Sequence, residues 1–159
     1  MSKSLARVRG ALADAGLTVE ILEMGETRTA QQAAQAAGCA LEQIAKSIVF
    51  RGRTSGRALL FLTAGGNRVC PDGAADAAGE PLERADAALI RARTGFAIGG
   101  VAPLGHATAL LAFFDPRLGE FDRVWAAAGT PRHIFAIAPA DLQRVAAAQV
   151  AEFARRAEM

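Results

Sequence analysis

The sequence predicts an α+β domain built on a mixed, largely antiparallel sheet flanked by helices, and three observations carry that prediction. Segments with helical spacing of apolar residues are interleaved along the chain with short apolar runs of strand length. Several of those runs are joined by tight Gly- or Pro-containing turns, too short for the crossover helices of a doubly wound parallel sheet. The run ALLFLTA, 58–64, is apolar on both faces and reads as a central strand. With 159 residues, 52% of them hydrophobic, the chain fits one domain over 1–159.

Taken in order, Ser4–Ala15 places Leu5, Val8 and Leu12 at helical spacing and stops at Gly16, which suits the residue after a helix. A short strand is expected over Val19–Leu22. Thr29-Ala-Gln-Gln32 has the capping-box pattern and opens an alanine-rich helix closed by Gly38. LEQIAKSIVF, 41–50, reads as a turn of helix entering a strand, and RGRTSGR as the hairpin loop before 58–64. After Gly65-Gly66-Asn67 come a short strand, Arg68–Cys70, and a helix over Pro71–Ala78 with proline at its first position. Asp86 caps a helix through Arg93. Strands follow at Leu110–Phe114, Arg123–Ala127 and His133–Ala138, and a closing helix over Pro139–Ala154 should bury Leu142, Val145, Val150 and Phe153.

Composition narrows the function. No apolar run approaches the roughly 18 residues of a membrane span, and the N-terminus enters an amphipathic pattern directly, so a cytoplasmic protein is expected. Cys39 and Cys70 belong to no CxxC pair or Cys/His cluster, which argues against a zinc site and a structural disulfide. The net charge of +2 is too small to announce a nucleic-acid binder, and no DNA partner is expected, but the cations cluster. Between Glu42 and Asp72 there is no acid, while Lys46, Arg51, Arg53, Arg57 and Arg68 give the segment a local charge of +5. Such a cluster suits the phosphates of a polyanion. It equally suits hairpin ends balanced by acids from elsewhere in the fold.

The stretch Thr94–His106, TGFAIGGVAPLGH, contains four glycines, more than a packed core requires. Gly99-Gly100 reads as a bend that presents backbone N–H groups to a ligand, or as a tight connection between strands. Sixteen of the eighteen basic residues are arginine, so Lys46, placed in a strand on the face of Ile44, Ile48 and Phe50, stands out. A charge there needs a partner, such as a substrate, or must snorkel to water. Ser47, on the other face, lacks the surroundings of an activated nucleophile and reads as a hydrogen-bonding residue or a plain strand serine. His106 could present its ring to a cleft or serve a structural purpose; His133 is a weaker candidate. A cation, a backbone bend and no protein nucleophile would stabilise an oxyanion while water or a substrate hydroxyl attacks, as in ester hydrolysis without a triad.

The motifs TAQQAAQAAG, QIAKSIVF, AGGNRV, TGFAIGGVAPLGH and RVWAAAG, in this order from about Leu5 to Val150, resemble the YbaK family of aminoacyl-tRNA deacylases, related to the editing domain of bacterial prolyl-tRNA synthetases. The resemblance implies a sheet curled towards a barrel with helices outside, and no metal or cofactor. It implies hydrolysis of the ester joining a wrong amino acid to the acceptor end of a mischarged tRNA, most often tRNA for proline, with prolyl-tRNA synthetase as a possible partner. The family's lysine falls on Lys46, its GG-x-x-P-x-G loop on Gly99, Gly100, Pro103 and Gly105, and its late small-residue loop on Ala127, Ala128 and Gly129. Lys46, Gly99 and Gly100 would then be catalytic. Ser47, His106, Ala127, Ala128 and Gly129 would bind substrate, and Arg51, Arg53, Arg57 and Arg68 would contact tRNA. Where relatives carry an acid after AGGNRV and Ser-Gly-Gly in the late loop, this chain has Cys70 and Ala127-Ala128-Gly129, so the cysteine specificity of the best-known branch does not transfer. A non-catalytic module that binds a tRNA end or a synthetase is the alternative.

Overall fold

Helix formation at the N-terminus follows from a cap and a stripe. In the computed structural model, which describes residues 2–25 and 29–157, the Ser2 hydroxyl accepts hydrogen bonds from the N–H groups of Ser4 and Leu5. It thereby opens α1, Lys3–Asp14, whose Leu5, Val8 and Leu12 are buried. The same logic sets α2, Ala30–Ala37, where Thr29 Oγ1 accepts from Gln32 N at 3.1 Å. It also sets α4, Ala87–Thr94, where Asp86 Oδ1 accepts from Leu89 N at 2.8 Å. Between them α3, Pro71–Ala78, begins on its proline.

The strands are β1 (Ile21–Glu23), β2 (Ile44–Gly52), β3 (Ala58–Ala64), β4 (Asn67–Val69), β5 (Leu82–Arg84), β6 (Leu111–Phe114), β7 (Val124–Ala127), β8 (His133–Ile137), β9 (Ala148–Val150) and β10 (Ala154–Arg156), with α5 at Pro139–Val145. The main sheet runs β1-β8-β7-β2-β3-β6-β9, with β5 added to β2; β4 and β10 form a separate ribbon. Five of the pairings are antiparallel and three, β2–β7, β3–β6 and β6–β9, are parallel. The expected mixed sheet is therefore present, and β3 is its buried centre, every residue from Ala58 to Ala64 being shielded.

Alternation along β3 divides the interior. Leu60 and Leu62 pack towards α1, Phe96 and Leu104, whereas Leu59 and Phe61 pack towards Phe113, Phe153 and the small face of α3, Ala74 and Ala78. A third cluster joins Ala33 and Ala34 of α2 to Ile44, Trp125 and Ile134.

The closing helix departs from expectation. It ends at Val145, Ala147 turns the chain at a φ of 50°, and the residues expected to continue it form β9 and lead into β10 at Ala154. Leu142 and Phe153 are buried as expected, but Val150 is 54% exposed. Helix propensity in this alanine-rich tail is overridden by two tertiary gains: the open edge of β6 receives a parallel strand, and Phe153 meets Phe61 edge-on at 5.0 Å. β5 was also unanticipated; three residues after Pro81 carry no alternation of their own and are strand because β2 offers them an edge.

Candidate functional site

A gap in the ladder along one edge of β2 makes the site. On that edge β7 pairs with Ile44 and Ala45, and β5 pairs with Phe50, Arg51 and Gly52. Between them Lys46 to Val49 are paired with β3 alone. A cavity of about 200 Å³ opens there, bordered by Lys46, Ser47 and Val49 of β2, Ala126 and Ala127 of β7, and the segment Ile98–Val101. Thr130 and Pro131 of the turn between β7 and β8, His133 at the start of β8, Thr29 and Ala33 at the start of α2, and Ile90 of α4 also line it. Among the described residues its lining contains no carboxylate and no thiol.

The two glycines of the bend answer different constraints. Gly99 has φ +91°, a region closed to most side chains, and its N–H has no partner among the described residues. Gly100 is buried, and its N–H already donates to the Ala97 carbonyl at 3.1 Å. A Cβ at Gly100 would lie 2.8 Å from Thr130 Cα, so its absence lets the two loops meet. Of the two N–H groups expected to face a ligand, the structure leaves Gly99 open and uses Gly100 for the turn.

Lys46 is half-buried, and its ammonium donates to the Asn67 carbonyl at 2.6 Å. Burial lowers its pKa from the ordinary lysine value, Arg68 lowers it further, and Asp115 opposes them. The buried Asp115 carboxylate accepts from Ala64 N, Asn67 Nδ2 and Arg117 N, which fixes the strand end that carries Asn67. Ser47 Oγ is buried and has no hydrogen-bond partner, the one such side-chain atom among the described residues. Left unpaired, a hydroxyl costs stability, which makes it a natural contact for a bound polar group.

The remaining expected residues divide. Ala127 lines the cavity, whereas Ala128 and Gly129 lie behind it, Ala128 donating to the His133 carbonyl and Gly129 packed against Ser4 and Phe96. His106 does not line it: its Nε2 is 2.7 Å from the Ala102 carbonyl and its ring stands edge-on to Phe96. The cleft-facing reading of His106 thus gives way to the structural one, because the turn folds the ring back onto its own loop. His133 and Thr130 were the underrated pair. His133 Nδ1 lies 2.7 Å from Thr130 Oγ1, and Nε2 lies 3.8 Å from Glu23 of β1. Neither neighbour adjoins His133 in sequence in a way that a spacing rule reads, although GTPRH held both ring and hydroxyl.

Arg51 and Arg53 face Glu83 of β5 at 4.0 and 3.8 Å, and Arg57 pairs with Glu80 at 3.0 Å. Three of the segment's five cations thus meet acids from outside it, in line with the second of the two readings that the sequence allowed. Arg68 forms no such pair among the described residues. No group of three His, Cys, Asp or Glu residues that could hold a metal ion occurs among them, and no described helix is long and apolar enough to cross a membrane.

Known proteins share this fold. A candidate trans-editing enzyme for prolyl tRNA synthetase, of known crystal structure, is 44% identical and superposes with a TM-score of 0.90 over 98% of this chain and 99% of its own. A protein from work on grafting linear epitopes onto scaffolds is 41% identical, with a TM-score of 0.90 over the whole of both chains. The uncharacterised protein YwhH of Bacillus subtilis (strain 168) is 29% identical over 122 residues, 77% of each chain. Residues 25–145 match the model of the aminoacyl-tRNA editing domain, a span that includes Lys46, the Gly99 bend and the Thr130–His133 turn, and the chain belongs to that family.

Proposed function

We propose that this protein is a trans-editing deacylase that hydrolyses the ester of a mischarged tRNA, with tRNA for proline bearing a small wrong amino acid as its substrate. The observation that carries the reading is the cavity of about 200 Å³ between β7 and the Gly99 bend. Its largely apolar wall suits a small side chain, and Lys46, Ser47, Thr130 and His133 offer separate polar contacts. In this reading the amino acid enters between Ala127 and Val101, and the Gly99 N–H donates to the ester carbonyl as it becomes an oxyanion. Ser47 Oγ and Thr130 Oγ1, the latter held by His133, take the amino group or the terminal ribose. Lys46 neutralises the acceptor end, and water, activated by a ribose hydroxyl, attacks. The protein supplies position and electrostatics, in keeping with a lining that holds neither a thiol nor a carboxylate among the described residues. Gly100, Ala128, Gly129 and His106 serve by shaping the loops. The 44% identical neighbour's description as a candidate trans-editing enzyme for prolyl tRNA synthetase supports both the substrate and the partner.

Incubation with a panel of mischarged tRNAs, following loss of the amino acid, tests the proposal. We expect at least one small-amino-acid ester of tRNA for proline to be cleaved well above its spontaneous rate, and Lys46→Ala to lose most of that activity. If nothing is cleaved while tRNA still binds, a non-catalytic binding module replaces this reading; if Lys46→Ala keeps full activity, the assignment of Lys46 fails.

A further inference from the structure

Counter-ions decide which arginines are available to a ligand. Arg51 and Arg53 share Glu83 at 4.0 and 3.8 Å and Arg57 pairs with Glu80 at 3.0 Å, so each of the three has a carboxylate beside it that partly offsets its charge. Arg68, Arg155 and Arg156 are exposed and form no ion pair among the described residues, although Asp72 and Glu152 are close in sequence. All three lie on the β4–β10 ribbon, and Arg68 and Arg155 are directly opposed in its register. Like charges in that position repel and weaken a two-stranded ribbon. The three guanidinium-bearing side chains border a hollow of about 280 Å³. This hollow adjoins the cavity's cation: Asn67, whose carbonyl holds the Lys46 ammonium, is the neighbour of Arg68 and the register partner of Arg156.

Resting on the editing reading, we propose that the β4–β10 ribbon binds phosphates of the tRNA acceptor stem through Arg68, Arg155 and Arg156 while the single-stranded end passes Lys46 into the cavity. Guanidinium groups pair with phosphate through a planar fork of donors, and an RNA backbone presents such anions at regular spacing. An external polyanion relieves the repulsion that the ribbon otherwise carries. The arginines of the β2–β3 hairpin, expected from the sequence to share this task, are secondary to it.

Binding of a fluorescently labelled, unacylated acceptor-stem RNA hairpin, measured across a salt series, tests the ribbon independently of ester hydrolysis. The variant Arg68→Ala/Arg155→Ala/Arg156→Ala should bind at least tenfold more weakly at low salt. Its slope of log affinity against log salt should be shallower by about 2, since each lost phosphate contact contributes roughly 0.7–0.9. The corresponding triple lysine variant should recover most of the affinity, and Arg51→Ala/Arg53→Ala should lose less than the ribbon variant. Unchanged affinity and slope in the triple alanine variant, or a greater loss from Arg51→Ala/Arg53→Ala, would overturn the proposal. Failure of every mischarged tRNA to be deacylated, with hairpin binding and its salt slope intact, would remove the editing reading and leave the RNA surface standing.

Discussion

His106 shows how a single residue can read as functional in sequence and structural in place. It ends a glycine-rich stretch, where side chains are often presented to ligands, yet its Nε2 meets the Ala102 carbonyl and its ring meets Phe96. Burial is the chief cause that pushes its pKa below the ordinary 6.5, and the hydrogen bond to Ala102 opposes it. A depressed histidine pKa means that the unfolded chain takes up a proton before the folded one does. His106 therefore contributes stability that is fully present above about pH 6.5 and lost as pH falls from there through the folded-state value. Urea unfolding of the wild type and of His106→Gln at pH 7 and pH 5 checks this. We expect the wild type to lose more stability between the two pH values than the variant, whose amide can keep a bond to Ala102 without titrating; equal losses would remove His106 as the titrating group. The glycines beside it were legible as special but not as different from one another. That Gly100 is bare because Thr130 crosses it is a fact about two loops thirty positions apart in the chain, which no local pattern encodes.

At the scale of elements, caps and strongly patterned segments were readable because their causes are local. Ser2, Thr29 and Asp86 hold N–H groups within three residues, and the six apolar residues of seven-residue β3 mark it as central without a partner. The C-terminal segment was not readable, because its causes lie elsewhere. The sequence VAAAQVAEFA favours a helix by propensity, and what makes it two strands is the free edge of β6, the ribbon edge of β4 and a space for Phe153 beside Phe61 and Phe113. Phe153 should thus be the anchor of this tail. We expect Phe153→Ala to cost about 3–5 kcal/mol in a urea titration, the range for removing a buried aromatic side chain. Hydrogen exchange should show β10 and β4 losing protection together, since Cys70 N donates to the Phe153 carbonyl at the end of their pairing. A loss below about 1 kcal/mol, where exposed substitutions fall, would mean that strand pairing holds the tail without its aromatic anchor.

Across the whole molecule, the site is assembled from regions that sequence order separates: the start of α2, β2, α4, the Gly99 bend, the end of β7 and the turn that leads into β8. Lys46 and the glycine bend could be singled out because their residue types are anomalous for their surroundings. The cavity itself could not, since it exists where β7 and β5 leave the same edge of β2 unpaired, and β5 has no signature of its own. This architecture makes the cavity's size adjustable at β7 with little disturbance to the bend. Ala127 is the natural position, being half-buried at the last residue of β7 and on the wall. Ala127→Val adds two carbons to a space of about 200 Å³ and should reject larger amino acids before smaller ones. A hydrophobic wall discriminates by about 1–3 kcal/mol per methylene, or roughly 10–200-fold in kcat/KM. Deacylation of glycyl, alanyl, seryl and threonyl esters on one tRNA, compared between wild type and Ala127→Val, measures the effect. We expect the largest amino acid that the wild type accepts to lose at least tenfold more activity than the smallest, with hairpin RNA binding unchanged because the ribbon lies apart from β7. A uniform loss across the series would place the amino acid elsewhere than against Ala127, and a loss confined to RNA binding would show that β7 contacts the stem.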